Sequence, residues 1–251
     1  MIPIWVINLD RSPQRWAHIE SNCLAAGIEP VRIAAVDALG LTAADIDRHV
    51  DWRRNEREYF AKLKPGEVAC FLSHQKAWRT FLQSDLEHIC ILEDDVAWDR
   101  PPQPVLAALV ESMGSETPQM VKLYASRPVK GRVRSTSHDG ALVTPAVVPL
   151  GTQAQLINRA CAQRLLDTFE TFWEPIDVSL QRWWDTGVRV DVWTPNLVNE
   201  VSAALGGTTL RAQRSLPMGL RLRRELMRPW FRMRRWWMSQ LKSRLQSRHP
   251  E

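Results

Sequence analysis

Three acids in a row, Glu93, Asp94 and Asp95, directly follow the apolar run ICIL at positions 89–92. In an extended backbone Glu93 and Asp95 share one face and Asp94 points to the other. Two carboxylates on one face suit a hard divalent cation, Mg²⁺ or Mn²⁺. Such an ion keeps coordination positions open for phosphate oxygens and can neutralise a departing diphosphate. That chemistry fits transfer of a sugar from a nucleotide diphosphate. The competing reading is a polar cap where a strand surfaces, with arginines as partners. Direct displacement at the sugar carbon would also need a base for the acceptor hydroxyl, separate from the metal-side carboxylates.

Other chemistry-bearing residues gather near the N-terminus. Asn8, Asp10, Arg11 and Arg15 fall at a strand-to-helix junction, where guanidinium groups and a helix N-terminus can meet a nucleotide or its diphosphate. Asp37, at the end of a second strand, is placed to accept hydrogen bonds from a ribose or a base. His74 shares a helix face with Cys70 and Ala77, where a histidine is more often a core residue than a ligand. No GxGxxG or P-loop pattern occurs, which argues against dinucleotide redox chemistry and ATP hydrolysis.

The elements that must hold these residues read as α/β. Positions 4–9 form an apolar strand ended by Asp10, and Ser12 with Pro13 opens a helix that Gly27 closes. Residues 31–36 read as a second buried strand, completing a βαβ unit with parallel strands. Residues 45–64 read as a mobile loop or frayed helix. After Pro65 and Gly66, the segment EVACFLSHQKAWRTFLQS carries apolar residues at helical spacing. The run at 89–92 suits a central strand buried on both faces, so the acids sit at its carboxyl end, where open α/β sheets bind ligands. Further on, 102–114 reads as a helix, 120–125 as a strand, and 146–157 as an extended segment entering a helix to about residue 172. The last strand falls around 188–193, and Gly206 and Gly207 mark the end of the core.

Five segments in this order, VINLDRSPQR, GEVACFLSHQKAW, ILEDDV, GTQAQLI and PIDVSLQRWW, resemble glycosyltransferase family 25, the lipooligosaccharide galactosyltransferases of Gram-negative bacteria. Several motifs in order are far more specific than one. The resemblance implies a GT-A-like, Rossmann-like catalytic domain with a mostly parallel sheet. It further implies a UDP-sugar donor, usually UDP-galactose, inversion to a β-linkage, and a lipid-linked oligosaccharide acceptor. It places Glu93 and Asp95 at the ends of a D-x-D-like metal motif, with Asp95 the more direct contact. It makes Gly66, Glu67, Ser73, His74, Gly151 and Thr152 donor-pocket positions alongside Asp94. It offers Asp177 as the base, with Asp185 and Glu174 in reserve; Asp177 also fits a helix cap after Pro175. The alternatives are a metal-dependent phosphohydrolase, disfavoured by the lack of a nucleophile or second ligand cluster, and a membrane-tethered sugar-nucleotide binder without turnover.

Charge divides the chain into a catalytic domain over 1–207 and a tail over 208–251. Residues 210–251 hold twelve Lys/Arg and two acids, whereas the rest is net acidic. In the tail Leu226, Trp230, Met233, Trp237, Leu241 and Leu245 form an apolar stripe flanked by arginines and kinked at Pro229. That pattern fits an anionic membrane surface, with packing on the core as the alternative and nucleic-acid binding disfavoured by the acidic body. Cys23, Cys70, Cys90 and Cys161 form no CxxC pair and read as reduced thiols. The N-terminus reads as a strand and not a signal peptide. A cytoplasmic protein, peripheral on the inner membrane, is the expectation.

Overall fold

The computed structural model describes residues 1–206, 227–231 and 233–241. The first unit is β1 (Ile4–Asn8), α1 (Pro13–Ala25) and β2 (Val31–Ala34), with β1 and β2 parallel. Pro13 starts α1 as read, but the Ser12 side chain does not cap it. β2 is an edge strand with Val31 47% exposed, so it is not the buried strand expected. Its run of apolar residues is too short, and broken by Arg32, to be covered on both faces.

Residues 43–58 are neither loop nor frayed. They form α2 (Ala43–His49) and α3 (Trp52–Glu58). Thr42 and Asp45 make a reciprocal capping box at the first, and Asp51 caps the second, so local hydrogen bonds offset their polar composition. Next come α4 (Pro65–Leu82), β3 (His88–Glu93), β4 (Val96–Trp98), α5 (Gln103–Ser112) and β5 (Gln119–Lys122). The hairpin β6 (Gly131–Ser137) and β7 (Gly140–Pro145) follows. The domain closes with β8 (Ala154–Asn158), α6 (Arg159–Thr168), α7 (Ile176–Ser179), α8 (Trp183–Thr186), β9 (Arg189–Thr194) and β10 (Val198–Glu200).

Eight strands make one sheet in the order β2-β1-β3-β8-β5-β9-β7-β6. The pairings leave β8 and β7 reversed and the other six strands pointing one way, the mostly parallel α/β arrangement of a Rossmann-like domain. Alternation along the central strands splits the core. Trp5, Ile7, Ile89 and Ile91 face α4 and α6, where Phe71, Trp78 and Phe81 are fully buried. Ile4, Val6, Cys90 and Leu92 face the opposite layer with α1 and α5. Burial on both faces explains why β3 is unbroken apolar up to Glu93.

The tail returns to the domain. Residues 227–231 and 233–241 are helical, and the face that docks carries Phe231, Arg235 and Ser239. Phe231 packs on Tyr59 and Phe60, Arg235 pairs with Glu174, and Ser239 donates to the Ala146 carbonyl at 2.6 Å. Trp230, Met233, Trp237 and Leu241, the described part of the apolar stripe, are 46–63% exposed. Gly207, Leu226 and Leu245, with the arginines at 221, 223, 224, 232 and 244, lie outside the described residues.

Candidate active site

Parallel pairing sets Ile7 of β1 opposite Glu93 of β3, so both strands deliver their carboxyl ends to one edge. A cavity of about 130 Å³ opens there, walled by Arg11, Arg15, Gly66, Cys70, Ser73, His74 and the three acids. The strand ends at Glu93, and Asp94 and Asp95 occupy a tight turn into β4, so the alternation of an extended chain stops one residue early. All three carboxylates therefore reach the same cavity.

Their partners differ. Asp94 is held by Asn8 Nδ2 and Arg15 Nη1, each at 2.7 Å. Glu93 accepts from the Thr152 hydroxyl at 2.5 Å, with His74 Nε2 3.5 Å away. Burial pushes the Glu93 carboxyl up, but His74, Thr152 and Lys122 outweigh it, and the group lies below its usual range. Among the described residues Asp95 has only Arg15, at 3.8 Å, as an ion-pair partner, and its Oδ1 is buried with no hydrogen-bond partner there. Burial, then Glu93 and Asp94, push its carboxyl up to about 7. A buried acceptor without a donor, in a turn with three acids, is a place that favours a cation.

Behind Glu93 the site continues through a loop. Gly151, at φ +90°, donates its N–H to Asp177 Oδ2 at 3.1 Å, and the next residue is Thr152, which holds Glu93. Lys122 threads beneath, donating Nζ to the Pro149 carbonyl and to the Gly151 carbonyl, the latter at 2.6 Å. Burial pushes the Lys122 ammonium down to about 8, against the pull of Asp177 and Glu93. Lys122 was not among the expected site residues. Its one signal is a lysine in the otherwise apolar stretch MVKL. Asp177 lies in the first turn of α7, and its Oδ1 accepts from the Val178 N–H at 2.9 Å.

Several expected residues stand outside the cavity wall. Asn8 is buried beneath Asp94, and Asp10 is exposed and paired with Arg32 at 2.7 Å. Asp37 accepts from Arg11 at 2.6 Å at the cavity mouth. Glu67 accepts from the Lys64 N–H at 2.8 Å and so fixes the start of α4. Ser73, which does line the cavity, also accepts from the Val36 N–H at 2.9 Å, tying α4 to the chain leaving β2. Both reserve bases sit in an ion network: Arg182 binds Glu174 at 2.6 Å and Asp185 at 2.7 Å, and Arg235 takes the other oxygen of Glu174. Glu174 is fully buried there and has no access to an acceptor.

The sequence model for glycosyltransferase family 25 (LPS biosynthesis protein) matches residues 1–180, from β1 through α7. The chain belongs to glycosyltransferase family 25. The matched span holds the acidic turn, the Gly151–Thr152 loop and Asp177. Curated relatives agree. A glycosyltransferase 25 family member of Drosophila pseudoobscura pseudoobscura is 32% identical over 100 residues, 38% of this chain and 16% of its own. Human procollagen galactosyltransferase 2 is 25% identical over 127 residues, 49% of this chain and 20% of its own. Human inactive glycosyltransferase 25 family member 3 is 27% identical over 170 residues, 65% of this chain and 28% of its own. The chain thus spans less than a third of the length of these relatives. The family match falls on an α/β domain whose acids meet at one strand edge.

Proposed function

We propose that this family 25 protein transfers a hexose, galactose from UDP-galactose, with inversion to a β-linkage on a lipid-linked oligosaccharide of the lipooligosaccharide or lipopolysaccharide core type. The observation that carries the reading is the buried Asp95 Oδ1, without a hydrogen-bond partner among the described residues, beside Glu93 in a cavity that also presents Arg11 and Arg15. A galactosyltransferase among the relatives supports the donor sugar. Glu93 and Asp95 would hold Mn²⁺ or Mg²⁺, which when bound stabilises the charge of a diphosphate leaving group. Arg11 and Arg15 would bind phosphate oxygens, and Asp37 at the mouth would meet the ribose or uracil.

Asp177 is proposed as the base. Each of its oxygens gives one lone pair to a backbone N–H, which fixes the carboxylate and leaves its remaining lone pairs for a hydroxyl. As the acceptor oxygen bonds to the anomeric carbon, the bond to the diphosphate breaks and the hydroxyl proton passes to Asp177. Lys122 positions the loop that holds both Asp177 and Glu93.

A location on an anionic membrane surface goes with this reading. Among the described residues no helix is long and apolar enough to cross a membrane. What supports surface attachment is that Trp230, Met233, Trp237 and Leu241 face outward beside Arg234 while the helix docks by its other face.

The test is UDP release from UDP-galactose, with and without a lipooligosaccharide acceptor and with and without Mn²⁺. Acceptor-dependent, metal-dependent release supports the proposal. Acceptor-independent phosphate release would instead mark a phosphohydrolase. No turnover with any donor and acceptor would mark a binding protein, a fate that the relatives named inactive make concrete.

A further inference from the structure

One cluster in the cavity wall has a donor set of a different kind from the carboxylate pair. Cys70 and His74 stand one helical turn apart on α4, and Glu93 ends β3 opposite them. The thiol sulfur, a ring nitrogen and a carboxylate oxygen all lie within 4.8 Å of one another. His74 is 1% exposed, yet among the described residues neither ring nitrogen has a hydrogen-bond partner, Nε2 standing 3.5 Å from the Glu93 carboxylate. A buried imidazole with both nitrogens unsatisfied is costly unless something completes it. The ring is fixed in place, packed against Trp78 at 6.2 Å between centroids.

Sulfur, nitrogen and one oxygen make a poor cage for Mg²⁺, which demands oxygens in octahedral array. They match a borderline-soft ion that accepts four ligands in a tetrahedron. Three protein ligands facing a cavity leave the fourth position to water or to an oxygen of the cavity's occupant, the pattern of an open zinc site.

We propose that Cys70, His74 and Glu93 form a binding site for a zinc-class divalent cation. Binding replaces the thiol proton of Cys70 with a metal–sulfur bond and releases that proton to solvent. Because Glu93 is common to this site and to the proposed Mg²⁺ or Mn²⁺ pair, zinc seated here blocks the hard cation. That consequence rests on the reading under Proposed function; the binding itself does not.

Co²⁺ is the probe, since its bond to a thiolate gives a near-ultraviolet charge-transfer band that no oxygen site produces. The reduced, metal-free full chain is titrated with Co²⁺, with no sugar donor or turnover involved. The expected result is a band that saturates at one equivalent, is displaced by Zn²⁺, survives in Asp95→Asn and disappears in Cys70→Ser. Zinc affinity in Cys70→Ser should fall more than about tenfold, the scale on which even outer-shell changes weaken metal sites. A measurement on the unaltered chain guards against a misfolded variant. Zn²⁺ should slow alkylation of Cys70 by iodoacetamide, read by peptide mass, while Mg²⁺ at the same concentration should not. No band, a band unchanged by Cys70→Ser in a folded protein, or equal alkylation with and without Zn²⁺ would overturn the proposal.

Discussion

Two carboxylate sites in this molecule are balanced in opposite ways. Around Glu174 one fully buried acid meets two guanidinium groups, Arg182 and Arg235, and each oxygen has its own cation. The acidic turn presents two carboxylates, Asp94 and Asp95, to Arg15 and leaves Asp95 Oδ1 without a donor among the described residues. Complete pairing makes the Glu174 network a bolt that joins the tail helix to the segment leading into α7. Deficient pairing makes the turn a place that gains by receiving a positive charge. Both sites are built on acids of the same chemical type, and the count of nearby cations separates them.

That contrast should survive or fail in the laboratory. Asp95→Asn and Asp177→Asn are each expected to lower acceptor-dependent UDP release by about a thousandfold, the scale of losing a transition-state electrostatic contact or a general base. Full activity in both would remove the turn and α7 from the chemistry. Glu174→Gln should act on stability instead, costing about 3 kcal/mol in denaturant unfolding because it leaves two buried guanidinium groups poorly compensated. An unfolding curve that superimposes on that of the unaltered protein would show that the network is dispensable.

The pH response should differ too. Asp95 titrates near 7 in the folded protein and far lower when unfolded, so the native state holds the extra proton. Stability contributed by that proton is present below the unfolded value and is lost as pH rises towards 7. Metal-free protein should therefore lose about 2 kcal/mol between pH 5 and pH 8, and Asp95→Asn should lose less. Adding Mn²⁺ at pH 8 should restore the melting temperature of the unaltered chain alone. The smallest effect concerns the tail. Arg234→Ala should weaken binding to vesicles containing anionic lipid by about 1 kcal/mol, measured by sedimentation, and binding that ignores lipid charge would exclude a surface role.

The parts of this picture that sequence makes legible are those carried by local pattern. The run at 89–92 marks a strand buried on both faces, and Pro65 and the apolar spacing after it mark α4. Other parts depend on partners distant in the chain. β6 is exposed at every position and has no alternation to betray it, so the hairpin is visible only through its pairing with β7. Asp94 reaches the cavity because the backbone turns at that residue, against the alternation of a strand. The tail stripe is apparent, but the docking face is not, since Arg235 and Ser239 become interior residues only through Glu174 and Ala146. Cys70 and His74 share a helix face in any reading; their relation to Glu93 requires the sheet.

The position of β8 bears on how the molecule is made. It enters the sheet late in the chain and runs against its neighbours, yet it fills the slot between β3 and β5. A nascent chain that has emerged only through β5 carries the acidic turn on a strand whose inner edge is bare. Thr152 just precedes the strand that closes that edge and Asp177 follows it, so the pocket is completed only once the sheet is protected from pairing with another chain. Truncation before residue 154 should therefore yield an aggregating fragment and not a slow enzyme.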